Sequence, residues 1–329
     1  MFYRVGITVK AQAFTCVSLL HTSRNLALVG VEEKMTTIKP SYDGSQSFKD
    51  GFESIFNNNK IIIMKTIIAP VDFSANSKNA AKYAADLALS ISADLTLFHV
   101  LQFPLFAGQA SAKEQAFEEM HDVAFDRLNI LKANLNKHTL GKINISLDIE
   151  SGRVMPQIKE YCAKKGPFIV VMGMDNKSSK LFGSNSLDAV DHLPYPLIIV
   201  PEDASFRPIH KIGLALDKAF VSNLPLEYLK KLQNIFSAQI DVLYVNPDNK
   251  KEPDSSRFKL LKEELTGLPH EFHFITANKL EEGMNKLLED TKVDLLLLIP
   301  KFHPFFEFHE SQSKILLLHC PGPVMTIHE

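Results

Sequence analysis

From Thr66 onward the chain alternates short, apolar, β-branched runs with longer stretches of helical period. Thr66–Val71, Asp94–Leu101, Asn144–Glu150, Phe168–Met172 and Leu197–Val200 read as strands. Ile169–Met172 and Leu295–Ile299 are apolar without a break, the pattern of parallel strands covered on both faces. Between the first two strands, Asn79–Ile91 places Ala80, Ala84, Leu87 and Ile91 on one helical stripe. Ser74 stands where it can cap that helix. Each half of this region reads as a strand followed by a helix, five times over. Such alternation with crossover helices predicts doubly wound parallel sheets. Residues 1–63 show neither period.

The same pattern occurs twice. Ala93–Val100 (ADLTLFHV) resembles Ala238–Val245 (AQIDVLYV) at an offset of 145, which also lays Ile67–Asp72 on Ile212–Asp217. Further on, Pro194–Ile198 matches Pro321–Met325 at an offset of 127, which lays Ile169–Gly173 on Leu296–Pro300 and Ile145 on Phe272. Two offsets imply one insertion of 18 residues in the first half, between its second and third strands. Phe103–Ala112 and the helical run Lys113–His138 lie there. The expected fold is α/β: two doubly wound, five-stranded, Rossmann-like parallel-sheet domains in tandem, 64–202 and 209–329, the second degenerate.

Composition narrows the functional classes. At 329 residues, 45% hydrophobic and 22% charged, the chain suits two globular domains. A formal net charge of −2 gives no reason to expect nucleic acid or a membrane surface as partner. No apolar run reaches the roughly 20 residues of a membrane-spanning helix. Cys16, Cys162 and Cys320 are isolated, which suits reduced packing thiols in a cytoplasm and neither a disulfide framework nor a zinc site. Arg4 and Lys10 precede Ala11–Leu20, but Gln12, Thr15, Cys16 and Ser18 dilute that run, and a secretory signal is not expected. Residues 1–63 read either as a disordered extension or as sequence upstream of a true start at Met64, and the second reading is preferred.

Ligands of a doubly wound sheet bind beyond the carboxyl ends of its strands. In the first half that edge presents Pro70–Ser74, His99–Val100, Met172–Asn176 and then Gly183-Ser184-Asn185-Ser186 opening a helix. Glycine allows close backbone approach, and the free N–H groups of a helix start suit a phosphate. The stretches KTIIAPVDFS, LFHV, VVMG, FGSNS and PLIIVP resemble, in this order, landmarks of the universal stress protein family. The resemblance covers Met64–Glu202 and, more weakly, about Pro208–Glu329. Nucleotide-binding members of that family carry G-x-x-G-x9-G-[ST] after the fourth strand, with an aspartate after the first strand and an apolar residue after the second. Carried onto this chain, the resemblance implies an adenine-nucleotide site for ATP or AMP at Asp72, Val100, Met172, Gly173, Gly183 and Ser184, flanked by Pro70 and Asn185. Asn176 replaces the second glycine, and six residues instead of nine separate it from Gly183, so the implied site is a weak one.

Plainer roles compete with these. Asp72 also suits a turn or cap, Ser184 a plain N-cap, and His99 a satisfied core histidine. In the second half, the offset of 127 turns Gly173 into Pro300, Asn176 into His303 and Gly183 into Glu310, and no phosphate site is expected there. His303, His309, His319 and His328 match no metal-ligand spacing, so no metal is expected. Phe302–Phe308 reads as a plug for the second pocket or as a docking surface. No catalytic nucleophile pattern is present.

The sequence thus implies a non-catalytic stress-response binding module. The alternative is a protein-interaction scaffold with both pockets degenerate and an unknown protein partner. The resemblance also implies that Leu197–Val200 and Val324–Ile327 pair as an internal pseudo-dimer, to which higher oligomers would add. Mass spectrometry of the native protein is expected to return no peptide from residues 1–63, and any such peptide overturns the preferred start at Met64.

Overall fold

The chain divides at the boundary between Ile63 and Met64. A computed structural model describes residues 65–102, 110–174, 184–216, 224–246, 255–299, 316 and 320–327. Within them ten strands form one sheet: β1 (Thr66–Pro70), β2 (Asp94–Leu101), β3 (Ile145–Ser151), β4 (Ile169–Met174), β5 (Leu197–Pro201), β6 (Lys211–Leu216), β7 (Gln239–Asn246), β8 (His270–Thr276), β9 (Leu295–Leu298) and β10 (Val324–Thr326). Seven helices connect them: α1 (Ala75–Ile91), α2 (Ala110–His138), α3 (Val154–Lys165), α4 (Ser184–His192), α5 (Leu226–Phe236), α6 (Ser255–Glu264) and α7 (Leu280–Thr291). Residues 202–210, which follow β5, form no helix, contrary to five strand–helix repeats.

The strand order is β3-β2-β1-β4-β5-β10-β9-β6-β7-β8. All neighbours are parallel except β5 and β10, which pair antiparallel with Leu197 opposite Thr326, Ile198 opposite Met325 and Ile199 opposite Val324. The two five-stranded arrays are therefore one sheet. The period of two along each strand sends Ile67 and Ala69 to one face and Ile68 to the other. On one face Ile67, Leu97, Val171 and Ile198 continue across the antiparallel pair to Met325, Leu297 and Leu214. On the other, Phe98, Val170 and Ile199 continue to Val324, Leu296 and Leu243. The first layer spans the whole sheet, and the second runs from β2 to β8.

Equivalent hydrogen bonds correct the single-insertion reading. Asp94 N–H donates to Lys65 as Gln239 donates to His210, which keeps the offset of 145 for the first two strands of each half. Leu95 donates to Asn144 as Ile240 donates to Pro269, so at the third strand the offset is 125. It is 126 at the fourth, where Phe168 donates to Thr66 as Asp294 donates to Lys211. Only at the fifth does it reach 127, where Val170 donates to Pro196 as Leu296 donates to Pro323. The first half carries 20 extra residues after its second strand, and the second half recovers one before α7 and one before β10. Side-chain patterning hid these single-residue steps because apolar runs match nearly as well after a small slip. As a consequence Gly173 corresponds to Ile299, not to Pro300.

Helix α1 begins as its sequence indicates: the Ser74 hydroxyl accepts from the Ser77 N–H at 3.1 Å. The segment after β5 returns along this helix, where the Asn79 side-chain amide donates to the carbonyls of Pro201 and Ala204. Phe206 meets the edge of Tyr83 there. Cys162 and Cys320 are buried, free thiols. Burial pushes the Cys162 thiol up to about 12. It pushes Cys320 up to about 11 against a hydrogen bond from Gly322. In a Cys16→Ser chain, both are expected to resist a thiol reagent at pH 8 until denaturant is added; rapid native-state labelling would contradict this packing.

Candidate functional site

The carboxyl ends of β1, β2 and β4 open into a cavity of about 930 Å³. The structure brings Pro70, Asp72, Val100, Met172, Gly173 and Asn185 into its wall. Gly183 lies outside the described residues, as do Asp175, Asn176 and the side chain of Ser184, whose backbone opens α4.

Asp72 has a local role that the sequence left open. One of its carboxylate oxygens accepts from the Ser74 N–H at 2.9 Å, and its own N–H donates to the Ser77 hydroxyl at 3.3 Å. This turn carries the chain from β1 into α1. Burial raises the Asp72 carboxyl, but hydrogen bonds from Ser74 and Ser77 outweigh it and leave the group below its ordinary value. The next residue, Phe73, is left-handed at φ 68°, an uncommon conformation for a side chain of this size. Two partners hold its ring. The His99 ring lies 4.6 Å away, and the Arg127 guanidinium sits 4.1 Å above its centroid.

Arg127 is a site residue that sequence reasoning missed, and His99, placed at this edge by the sequence, was read there as a core histidine. The His99 Nδ1 lies 2.6 Å from the Val71 carbonyl oxygen, so it donates there and its ring stands half-buried in the cavity wall. It is bonded as expected, yet it faces the site and not the core. Arg127 belongs to α2, in the connection between β2 and β3 that is longer in the first half. Glu119, Met120, Val123 and Ala124 from the same helix complete that wall. Helix α2 is thus one side of the pocket. Its helical run was legible, but nothing in the sequence told which face would meet β1.

Gly173 has a steric reason to be glycine. A Cβ there would fall 2.4 Å from the Asn76 carbonyl oxygen, because β4 ends against the first turn of α1. The Ser186 hydroxyl of α4 donates to the Gly173 carbonyl at 2.9 Å, tying the two helix starts to one strand end. In the second half the equivalent residue is Ile299, and α5 starts at Leu226, six residues later than the offset of 145 would place it. The two helices end in register, with Ser92 and Ser237 as left-handed caps. A branched side chain thus stands at this position in the half whose helix starts later. Asp217, Pro300, His303, His309, Glu310, His319, His328 and Phe302–Phe308 lie outside the described residues.

A second, more open hollow of about 1070 Å³ adjoins the first and shares Gln102, Val154 and Asn185 with it. Arg153 and Lys159 line it. Among the described residues, no helix is long and apolar enough to cross a membrane.

Comparison with known proteins agrees with this architecture. Residues 64–201 match the model of the universal stress protein family. Among solved structures, a universal stress protein from Archaeoglobus fulgidus DSM 4304 is similar at 15% identity and a TM-score of 0.65, over 80% of this chain and 98% of that one. A functionally unknown protein from Pseudomonas aeruginosa PAO1 is similar at 10% identity and a TM-score of 0.53, over 81% of this chain and 93% of that one. At these identities the likeness is one of fold. No curated protein matches the chain. Residues 64–201 belong to the universal stress protein family.

Two substitutions test the geometry. Gly173→Ala is expected to cost about 1–3 kcal/mol in denaturant unfolding, through overlap with Asn76. Asp72→Asn should be destabilising at neutral pH. The folded-state value of Asp72 is depressed, so its contribution is present above the ordinary carboxylate value and is lost as pH falls through the folded one. The stability gap between wild type and variant should therefore close in acid; a gap that widens there would contradict the turn described.

Proposed function

We propose that the chain is a non-catalytic, cytoplasmic binding module of the stress response, with one adenine-nucleotide site, for ATP or AMP, in its first half. In this reading residues 64–202 and 209–329 are two duplicated domains, and the second has lost its site. The repetition of equivalent backbone hydrogen bonds along five strands supports the duplication.

The observation that carries the nucleotide reading is the convergence of Asp72, Val100, Met172 and Gly173 on one cavity of about 930 Å³. That volume lies within the range of small-molecule sites. Val100 and Met172 supply apolar surface for a base, and the Asp72 carboxylate can accept from ribose hydroxyls. Two helix starts, α1 and α4, border the same space. The Asp72 charge already occupies the positive end of α1, so phosphates are better placed toward α4, where Gly173 keeps the approach open. Arg127, whose guanidinium lies over Phe73, brings a positive charge to the opposite wall.

Isothermal titration with ATP and with AMP is the test. Wild-type protein is expected to release saturable heat with at least one of them, and Asp72→Ala and Gly183→Asp to abolish or weaken it at least tenfold. If wild type and Gly183→Asp give the same heats, the site is dead and the scaffold reading replaces this one.

A further inference from the structure

The second half carries a polar cluster at a place where the first half has none of its kind. On β7 and β8, Asp241 lies opposite Glu271, and His273 follows two residues later on the same face. One donor atom from each lies within 4.8 Å of the other two. The Asp241 Oδ2 is 3.4 Å from the His273 Nε2, which is 3.9 Å from Glu271 Oε2. Asp241 is 0% exposed. Its Oδ2 and the His273 Nε2 are both buried without a hydrogen-bond partner. Two buried, unsatisfied polar atoms facing each other are costly unless a third group satisfies both.

The first half shows what a neutral solution looks like at the same positions. There Thr96 and Ser146 stand in place of Asp241 and Glu271, and their hydroxyls share a hydrogen bond of 2.8 Å. Asp148 stands in place of His273 and accepts from the Tyr161 hydroxyl of α3. By the offset of 126, Tyr161 corresponds to Leu287 of α7, which has no oxygen to offer. The second half therefore has a carboxylate where each of the two hydroxyls stands, an imidazole where Asp148 stands, and no hydroxyl partner for that third position.

We propose that Asp241, Glu271 and His273 bind a divalent transition-metal ion of the zinc class. One imidazole and two carboxylates suit such an ion, and three protein ligands leave a position open for water or an added ligand. Donors around zinc at about 2.1 Å stand about 3.4 Å apart in tetrahedral geometry, the separation Asp241 and His273 already have. Glu271, with a side chain 61% exposed, is free to close the remaining distance. Gln239 orients both carboxylates: its amide donates to Asp241 Oδ1 at 2.7 Å and to Glu271 Oε2 at 3.3 Å. Lys211 is the one competing cation among the described residues, 3.6 Å from Asp241 Oδ2. Its long side chain is 40% exposed and also donates to the Thr291 carbonyl, so it can withdraw from the carboxylate.

The test uses the full chain stripped with chelator, then titrated with Zn²⁺ by calorimetry and with Co²⁺ by visible absorption. One equivalent is expected to bind, with ligand-field bands of a four- or five-coordinate Co²⁺ centre. His273→Gln is expected to weaken binding by at least about a hundredfold. The double variant Asp241→Thr, Glu271→Ser restores the hydroxyl pair of the first half, so it should stay folded by circular dichroism and bind no metal at this site. No saturable uptake by wild type overturns the proposal. So does one-equivalent binding that survives in the folded double variant, which would place the ion on other histidines of the twelve in the chain.

Discussion

The architecture rests on a short antiparallel contact. Leu197, Ile198 and Ile199 face Thr326, Met325 and Val324 across the one antiparallel seam among the described strands. Left open, β5 and β10 would each end a parallel array with unpaired backbone groups and with apolar side chains on both faces. Joined, they bury each other, and the side chains of Ile198 and Met325 enter one core layer while Ile199 and Val324 enter the other. The carboxyl edge of the first array is thereby fixed on a sheet twice its own width. A pocket built on three strand ends then rests on a rigid support.

A second constraint separates the two halves. At the end of β4 the backbone of α1 comes so close that only glycine fits, and this approach is what sets Ser74, Asp72 and Phe73 around the cavity. Phe73 pays for its place with a left-handed backbone, and the His99 ring and the Arg127 guanidinium hold it there. In the second half Ile299 occupies the strand end, and α5 begins later. A glycine at the strand end thus accompanies the earlier helix start, and a branched residue the later one.

Much of this was legible in the sequence, for definite reasons. Strand positions follow from apolar runs such as Ile169–Met172, whose burial on both faces leaves no other pattern open. Ser74 was legible as a cap because capping is local, and Gly173 and Asp72 because strand ends in this topology face one edge. The register between the halves was misread by one or two residues. Apolar strands match equally well after a small slip, whereas backbone hydrogen bonds allow only one pairing. Arg127 was beyond reach for another reason. It lies 54 residues from Phe73, on a helix whose facing depends on tertiary packing alone.

Asp241 and His273 drew no functional reading from the sequence. Polar residues at every second position of a strand suggest a solvated face, and Gln239, Asp241, Glu271 and His273 fit that pattern. In the structure their face is the covered one: Leu243 and Val245 continue the same side of β7 into the core, and Asp241 is as buried as they are. The face is covered because Met284 and Leu287 of α7 pack in the same layer as Leu243 and Val245. A buried carboxylate requires a nearby positive charge, and a long lysine at 3.6 Å supplies it only in part. The two halves therefore differ at opposite ends of matching strands. The first keeps an open cavity at the carboxyl edge, and the second concentrates charge toward the amino ends of β7 and β8, where the first holds a neutral hydroxyl pair.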